Sequence, residues 1–147
     1  GHSHIPWKHI QDGRLAVNPG SVGIPINGDR RAQYALLTWE GGRWKPEHRV
    51  VVYDLDRIRA AYRESGILAV EGAFARAQLR AIETGQNVPG WLVSHCRRYA
   101  TEAGVPRSEA IPDAIWDQAV AAFDWEAASR GKKELKKGPA TGEGGSA

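Results

Sequence analysis

The chain has 147 residues, of which 41% are hydrophobic and 25% charged, as in an ordinary globular domain. It contains no run of about 18 apolar residues, so neither a sequence-predicted transmembrane helix nor a membrane partner is expected. Its one Cys, Cys96, excludes an internal disulfide framework and a Cys-rich zinc site. This cysteine usage favours a reducing compartment, and a cytoplasmic location is expected.

The net charge of +3 lies at the end of the chain. Residues 1–129 hold 15 Lys and Arg against 15 Asp and Glu, which gives zero. Residues 130–147 hold 5 basic and 2 acidic side chains, which gives +3. The sequence therefore predicts a disordered basic tail over residues 130–147 and no nucleic-acid-binding face on the folded body.

Residues 1–53 have the pattern of strands and turns. Asp12-Gly13 favours a tight hairpin turn between strands at residues 7–10 and 14–17. Two further strands are predicted at residues 34–39 and 48–53. The connection over residues 18–28 is rich in Gly, Pro and Asn, and a long connection in a compact region is more often functional than idle.

Residues 54–129 have the pattern of helices, with apolar side chains at helical spacing. Four helices begin at residues that favour helix starts or follow a turn, namely Asp54, Gly72, Pro89 and Pro112. Strands followed by helices predict an α+β fold.

His2 and His4 are the residues closest to a metal-ligand pattern. Neutral imidazole is a good ligand for Zn, Mn, Fe or Ni. Two His are fewer than the three or four protein ligands of a stable site, so the alternative is a solvated terminus or a tag remnant. His9 and His48 fall in predicted strands and are expected to be partly exposed.

Three motifs follow one another in a distinctive order: Gly-His-Ser-His at residues 1–4, Asn-Pro-Gly-Ser at 18–21 and Gly-Asp-Arg-Arg-Ala-Gln-Tyr-Ala at 28–35. This order resembles the C-terminal end of a calcineurin-like metallophosphoesterase of the small bacterial and archaeal phosphodiesterase branch. The resemblance implies that residues 1–65 are part of a four-layer αββα sandwich. Residues 66–129 match loosely, as a helical extension.

The resemblance also implies a chemistry. A hydroxide held by two divalent metal ions, Mn first and Fe, Zn or Ni as alternatives, would hydrolyse a phosphodiester or phosphomonoester. His4 would bind the first metal and His2 the second, and no residue of this chain would be a further catalytic group. Asn18 or Ser21 would lie near the phosphate-ester substrate; the alternative is that the turn at residues 18–21 is purely structural.

The other metal-binding motifs of that family precede Gly-His-X-His, and none of them occurs in residues 5–147. The chain also has no Met. We therefore expect a C-terminal fragment of a longer enzyme, inactive by itself. The alternative is a non-catalytic protein-interaction module with a degenerate or absent metal site. A homodimer would suit the helical extension, and the sequence leaves the oligomeric state open.

Other residues have weaker functional signals. An Arg of the charged loop at residues 29–31 could clamp a phosphate, or the loop could hold local ion pairs only. Cys96 lies next to His95 but on the apolar stripe of its helix, which predicts a packed thiol. Trp116 and Trp125 are expected to cover core surface or an interface.

Overall fold

A computed structural model describes residues 1–131, and the α+β class is confirmed. Within these residues the strands form two antiparallel hairpins, each a separate two-stranded sheet. The hairpins pair β1 (Trp7–Gln11) with β2 (Arg14–Asn18), and β3 (Ala32–Glu40) with β4 (Arg43–Val51). The helices are α1 (Leu55–Glu64), α2 (Ile67–Val70), α3 (Gly72–Thr84), α4 (Val88–Glu102), α5 (Asp113–Ala121) and α6 (Trp125–Arg130).

Both hairpins turn through two residues in the left-handed region. Asp12 and Gly13 have φ of +51° and +73°, as the dipeptide predicts for the β1–β2 turn. Gly41 and Gly42, at +60° and +73°, connect β3 to β4. Turns of this kind match the right-handed twist of paired strands, so each hairpin is determined locally.

β4 begins at Arg43, five residues before the predicted strand start at His48. The prediction missed this first part of the strand because Pro46 interrupts the strand pattern in the sequence. Pro46 lies opposite Leu37 in the hairpin. A proline cannot donate a ladder hydrogen bond, but each strand of a two-stranded sheet has one open edge. β4 also ends at Val51, two residues short of the prediction.

The four predicted helix starts are confirmed to within a residue or two. Asp54 caps α1, with Oδ1 accepting from the N–H of Asp56 at 2.9 Å and of Arg57 at 3.2 Å. Gly85 ends α3 with φ of +72°. The sequence analysis missed α2 and α6, which have 4 and 6 residues and are too short for a helical period to emerge.

The helices bury an apolar core between α3, α4, α5 and α6. Its fully enclosed members include Ala77, Val88, Leu92, Cys96 and Ala119. Trp116 and Trp125 pack partly buried against it, as predicted. Cys96 is fully buried in this core, so the prediction of a packed thiol is confirmed. Burial also raises the pKa of the thiol.

The β3–β4 hairpin leaves apolar side chains uncovered. Leu37, Trp39, Trp44 and Val50 lie on one face and are 52%, 58%, 50% and 40% exposed. The Trp39 and Trp44 rings meet edge to face, with centroids 5.2 Å apart. The loop after β2 covers the Gln33 end of this face, whereas no residue among 1–131 covers the end with Leu37, Trp39 and Trp44. We call this surface the hairpin apolar face.

The loop between β2 and β3 packs against the end of α3. The N–H of Gly28 donates to Gly85 O at 2.8 Å. A Cβ on Gly85 would come within 2.9 Å of the Asp29 backbone, so only Gly allows this close approach. Arg130 lies in α6 and Gly131 is its buried C-cap, so the first two residues of the predicted tail belong to the folded part. Residues 132–147 lie outside the described residues. Among the described helices, none is both long and apolar enough to cross a membrane.

Candidate functional site

Residues 1–4 form a tight turn that carries both predicted metal ligands. The N–H of His4 donates to Gly1 O at 3.0 Å, and His4 has φ of +56°. This left-handed conformation is uncommon for a residue with a side chain, and such residues cluster at functional sites. His2 is exposed and His4 is half-buried. The turn therefore presents His2 to solvent and holds His4 against the protein.

The imidazole of His4 is oriented by a backbone carbonyl. Its Nδ1 lies 2.7 Å from Ile24 O. Because a carbonyl oxygen can only accept, Nδ1 carries the proton, and Nε2 of the neutral ring keeps its lone pair. A metal-binding His commonly has its other ring N–H fixed in this way, which sets both the tautomer and the ring direction.

Asn18 connects the turn to both hairpins. It is 7% exposed, and its Oδ1 accepts from the nitrogen of Gly1 at 3.1 Å and of Gly20 at 3.0 Å. Its Nδ2 donates to Ser3 Oγ at 2.8 Å, and its backbone carbonyl accepts from His48 Nε2 at 2.9 Å. The side chain thus positions residues 1–4; its predicted contact with a substrate stays a prediction.

Ser21 supports His4 indirectly. Its Oγ accepts from the N–H of Ile24 at 2.9 Å, and Ile24 is the residue whose carbonyl holds the His4 ring. Ser21 is 7% exposed, and its backbone carbonyl accepts from the N–H of Gln33 at 2.9 Å. The fold therefore joins the predicted residues His4, Asn18 and Ser21 in one network.

Gln33 is a member of this network that the sequence analysis missed. It is 3% exposed, its Oε1 accepts from Ser21 N at 3.4 Å, and its Nε2 donates to Asn27 Oδ1 at 2.8 Å. Gly20, with φ of +93°, packs so closely that a Cβ there would overlap the Gln33 side chain. A polar residue in the mostly apolar first half of β3 was the available signal, because buried polar side chains require partners.

The described residues fit only part of a metal centre. Within residues 1–131 no group of three or more His, Cys, Asp or Glu is placed to hold a metal. The His4 ring is oriented as a ligand, and His2 lies two residues away in the same turn. Two imidazoles can supply two ligands of a larger set.

The two arginines of the charged loop at residues 29–31 differ in their ion pairing. Arg31 forms a two-pronged ion pair with Asp29, Nη2 to Oδ2 at 2.6 Å and Nε to Oδ1 at 2.9 Å. The hydrogen bond from Arg31 lowers the pKa of Asp29 to about 2. Of the two interpretations of this loop, a phosphate clamp or local ion pairs, the local ion pair is therefore correct for Arg31. Arg30 has no ion pair within residues 1–131.

The remaining histidines are placed as strand or core residues. His9 and His48 are exposed on their strands, as expected. His95 Nε2 lies 3.1 Å from Ala119 O, and burial lowers the pKa of the ring. His95 and Cys96 show no contact that would make them a nucleophile and base.

Comparison of the chain with protein-family models, curated proteins and solved structures found no match. The resemblance in motif order therefore stays a prediction, and the geometry of the turn bears the functional argument.

Proposed function

We propose that this chain is the C-terminal part of a metal-dependent phosphoesterase, with His2 and His4 as metal ligands. The observation that carries the proposal is the 2.7 Å bond from His4 Nδ1 to Ile24 O, which leaves the Nε2 lone pair of the neutral ring available to a metal. A solvated terminal His would have no need of such an orienting bond. The network through Asn18 and Ser21 supports the same reading.

Two divalent metal ions, Mn first, would lower the pKa of an attacking water and neutralise charge on the phosphoryl oxygens. The residues of this chain have three tasks in that reaction. His4 presents Nε2 at a fixed angle, and His2 supplies a second imidazole. Asn18 and Ser21 fix the turn, and their loop bounds the place where a phosphate ester would bind.

In this proposal residues 1–65 belong to a four-layer αββα sandwich whose other sheet comes from outside this chain. The hairpin apolar face supports that architecture. A sheet that exposes Leu37, Trp39 and Trp44 on one face is typical of a layer that packs against another. Residues 66–129 are then the helical extension, with a core of their own.

A non-catalytic interaction module is the second candidate. The same hairpin apolar face favours it, because large exposed apolar surfaces mark protein-binding sites. The absence of a complete ligand group in residues 1–131 agrees with it as well. The two candidates differ in whether the histidines of residues 1–4 bind metal.

The test is a titration of the chain with Mn²⁺ and Zn²⁺. Metal binding is measured by calorimetry and by the NMR signals of the His side chains. We expect weak binding that broadens the side-chain NMR signals of His2 and His4 with paramagnetic Mn²⁺ and shifts them with Zn²⁺. The His2→Ala/His4→Ala double variant should abolish this binding. His9→Ala is the matched control, because His9 is an exposed His outside the turn. Binding that survives the double variant, or that is lost in the control, would contradict the assignment.

Activity requires the longer protein. In an assay with Mn²⁺ and a chromogenic phosphodiester, the protein as made by its source organism is expected to hydrolyse the substrate. Its His4→Ala variant is expected to lose most of this activity while remaining folded. If the protein made by the source organism has no carboxylate-bearing metal motifs before Gly1, the interaction module is the better candidate function.

A further inference from the structure

A groove lies between the exposed side of α4 and the loop that connects α4 to α5. Its volume is about 600 Å³, a size typical of sites that hold small ligands. We call it the arginine groove, and it is lined by Val93, Ser94, Arg97, Arg98, Thr101 and Arg107. None of these residues belongs to the His4 network, so the groove is a separate location in the molecule.

The charge of the arginine groove is positive. Three of its six lining residues are arginines, and none of the six is acidic. Within residues 1–131 an acidic side chain reaches only Arg98, where Glu102 Oε1 lies 3.9 Å from Nη1, at the limit of an ion pair. Arg97 and Arg107 form no ion pair within the same residues. Like charges that line one groove repel one another, so the arrangement favours an anionic ligand.

Two of the three arginines are oriented by the folded chain. Arg97 is half-buried, and its Nη1 donates to Glu109 O at 2.9 Å, which connects α4 to the loop. Arg98 Nη2 lies 3.2 Å from His95 Nδ1, and its guanidinium carbon lies 5.7 Å from the centre of the Tyr99 ring. Side chains that are already oriented lose less conformational freedom when a ligand binds.

The guanidinium groups are the hydrogen-bond donors of the groove. Ser94 Oγ donates to Gly90 O at 2.8 Å, and Thr101 Oγ1 donates to Arg97 O at 2.9 Å. Because a hydroxyl has one proton to donate, both hydroxyls are occupied by the backbone of α4. A guanidinium can donate two parallel hydrogen bonds to the oxygens of a phosphate. The donor set of the groove therefore matches phosphate groups.

We propose that the arginine groove binds a small molecule with a chain of phosphate groups, either a nucleoside triphosphate or an inorganic polyphosphate. Arg97 and Arg98 line the groove from α4, and Arg107 lines it from the loop. A phosphate chain offers a separate phosphate to each arginine, so it should bind more tightly than a single phosphate. The site uses no residue before Val93 and does not depend on the proposed phosphoesterase function.

Titration of the chain with sodium tripolyphosphate tests the proposal. A chelating resin removes metal beforehand, so that the turn at residues 1–4 cannot hold a metal–phosphate complex, and NaCl keeps the ionic strength constant. Calorimetry measures the affinity, and the NMR signal of the His95 ring, which contacts Arg98, reports where the ligand binds. We expect saturable binding that shifts the His95 signal and leaves that of His9 unchanged. Inorganic phosphate should bind at least about tenfold more weakly.

Variants of the groove and two controls locate the binding. Arg98→Gln and Arg107→Gln should each weaken tripolyphosphate binding about tenfold, the loss of a hydrogen bond between charged groups. Arg63→Gln is the matched control, because Arg63 is exposed in the last turn of α1 and has no ion pair within residues 1–131. A second control replaces with Gln the four lysines near the end of the chain, namely Lys132, Lys133, Lys136 and Lys137. Both controls should bind tripolyphosphate as the unchanged chain does.

Adenosine triphosphate, titrated in the same way, distinguishes the two sources of a phosphate chain. Tighter binding than tripolyphosphate supports a nucleoside triphosphate, and equal or weaker binding supports an inorganic polyphosphate. Three results would overturn the proposal: no saturable binding of either ligand, equal affinity in Arg107→Gln and Arg63→Gln, or loss of binding in the lysine variant. The last two would show that binding follows net charge or the chain end rather than the groove.

Discussion

The helical and strand parts of this protein differ in the side chains that they bury. Residues 72–130 enclose Leu92, Cys96 and other apolar groups completely. The strand part exposes Trp39 and Trp44 and buries the polar Asn18, Ser21 and Gln33. The helical part therefore derives its stability from apolar burial, whereas the strand part uses its buried contacts to hold a loop and a turn in position.

The difference is also one of energetic cost. Burial of an apolar side chain is favourable wherever it packs, whereas a buried amide or hydroxyl is tolerated only with its partners in place. Asn18 and Gln33 satisfy that condition with several bonds each, to groups from three segments of chain. Such a network, when every member has its partners, rigidifies the loop and the turn and specifies one arrangement of them.

The largest effect is expected in the helical core. Leu92→Ala leaves a cavity among fully buried residues and should cost about 3 kcal/mol of unfolding free energy, measured by chemical denaturation. Val93→Ala, one residue further on α4 and 43% exposed, is the control and should cost less than about 1 kcal/mol. Equal costs would show that the helical core is not the main source of stability.

A smaller but still large effect is expected at Gly20 in the strand part. Gly20→Ala forces a side chain into φ of +93° and into contact with Gln33, for roughly 2 kcal/mol. Gly13→Ala is the control, at φ of +73° but with open space around it, and should cost about 1 kcal/mol. The excess at Gly20 measures the packing against Gln33, and its absence would contradict the network.

The next effect is a pH dependence within the helical part. His95 Nε2 donates to Ala119 O while Nδ1 lies 3.2 Å from Arg98 Nη2, an arrangement that uses the neutral ring. Burial, with a contribution from Arg98, lowers the pKa of His95. The unfolded chain then binds the proton more readily, so stability should fall as pH drops below the ordinary His pKa.

His95→Gln should flatten that dependence between about pH 7.5 and 5.5, the range in which an ordinary His titrates, in denaturation midpoints. His9→Gln, in an exposed position on β1, should leave it unchanged. A parent chain whose midpoint does not move over this range would refute the role of His95.

The smallest effect is expected at the exposed ion pair of Asp29 and Arg31. The pKa of Asp29 is about 2 in the folded chain, below its ordinary value of 3.8. The stabilising contribution of the ion pair is therefore present above about pH 4 and is lost as the pH falls through about 2. Asp29→Asn should remove only this acid-side slope in the unfolding midpoint, because exposed pairs contribute little. Asp12→Asn, in the β1–β2 turn, is the comparison; an equal loss of slope there would contradict the assignment.

Sequence reasoning succeeded where the cause of the structure is local. Asp12-Gly13 specifies its turn, and Asp54 caps α1, through the backbone within three residues. It failed for β4, where Pro46 lies inside the strand at an open edge. It also missed Gln33, because the partners of its side chain lie across a loop whose course no local pattern specifies.

For the candidate site, residue types and their spacing in the sequence point to His2, His4, Asn18 and Ser21. The contacts come from the folded chain: Ser21 holds Ile24, Ile24 O fixes the His4 ring, and Arg31 has an ion pair whereas Arg30 has none within residues 1–131. The physical reason is that residue type sets which bonds a side chain can form. The partner it forms them with depends on distances between segments that meet only in the folded chain.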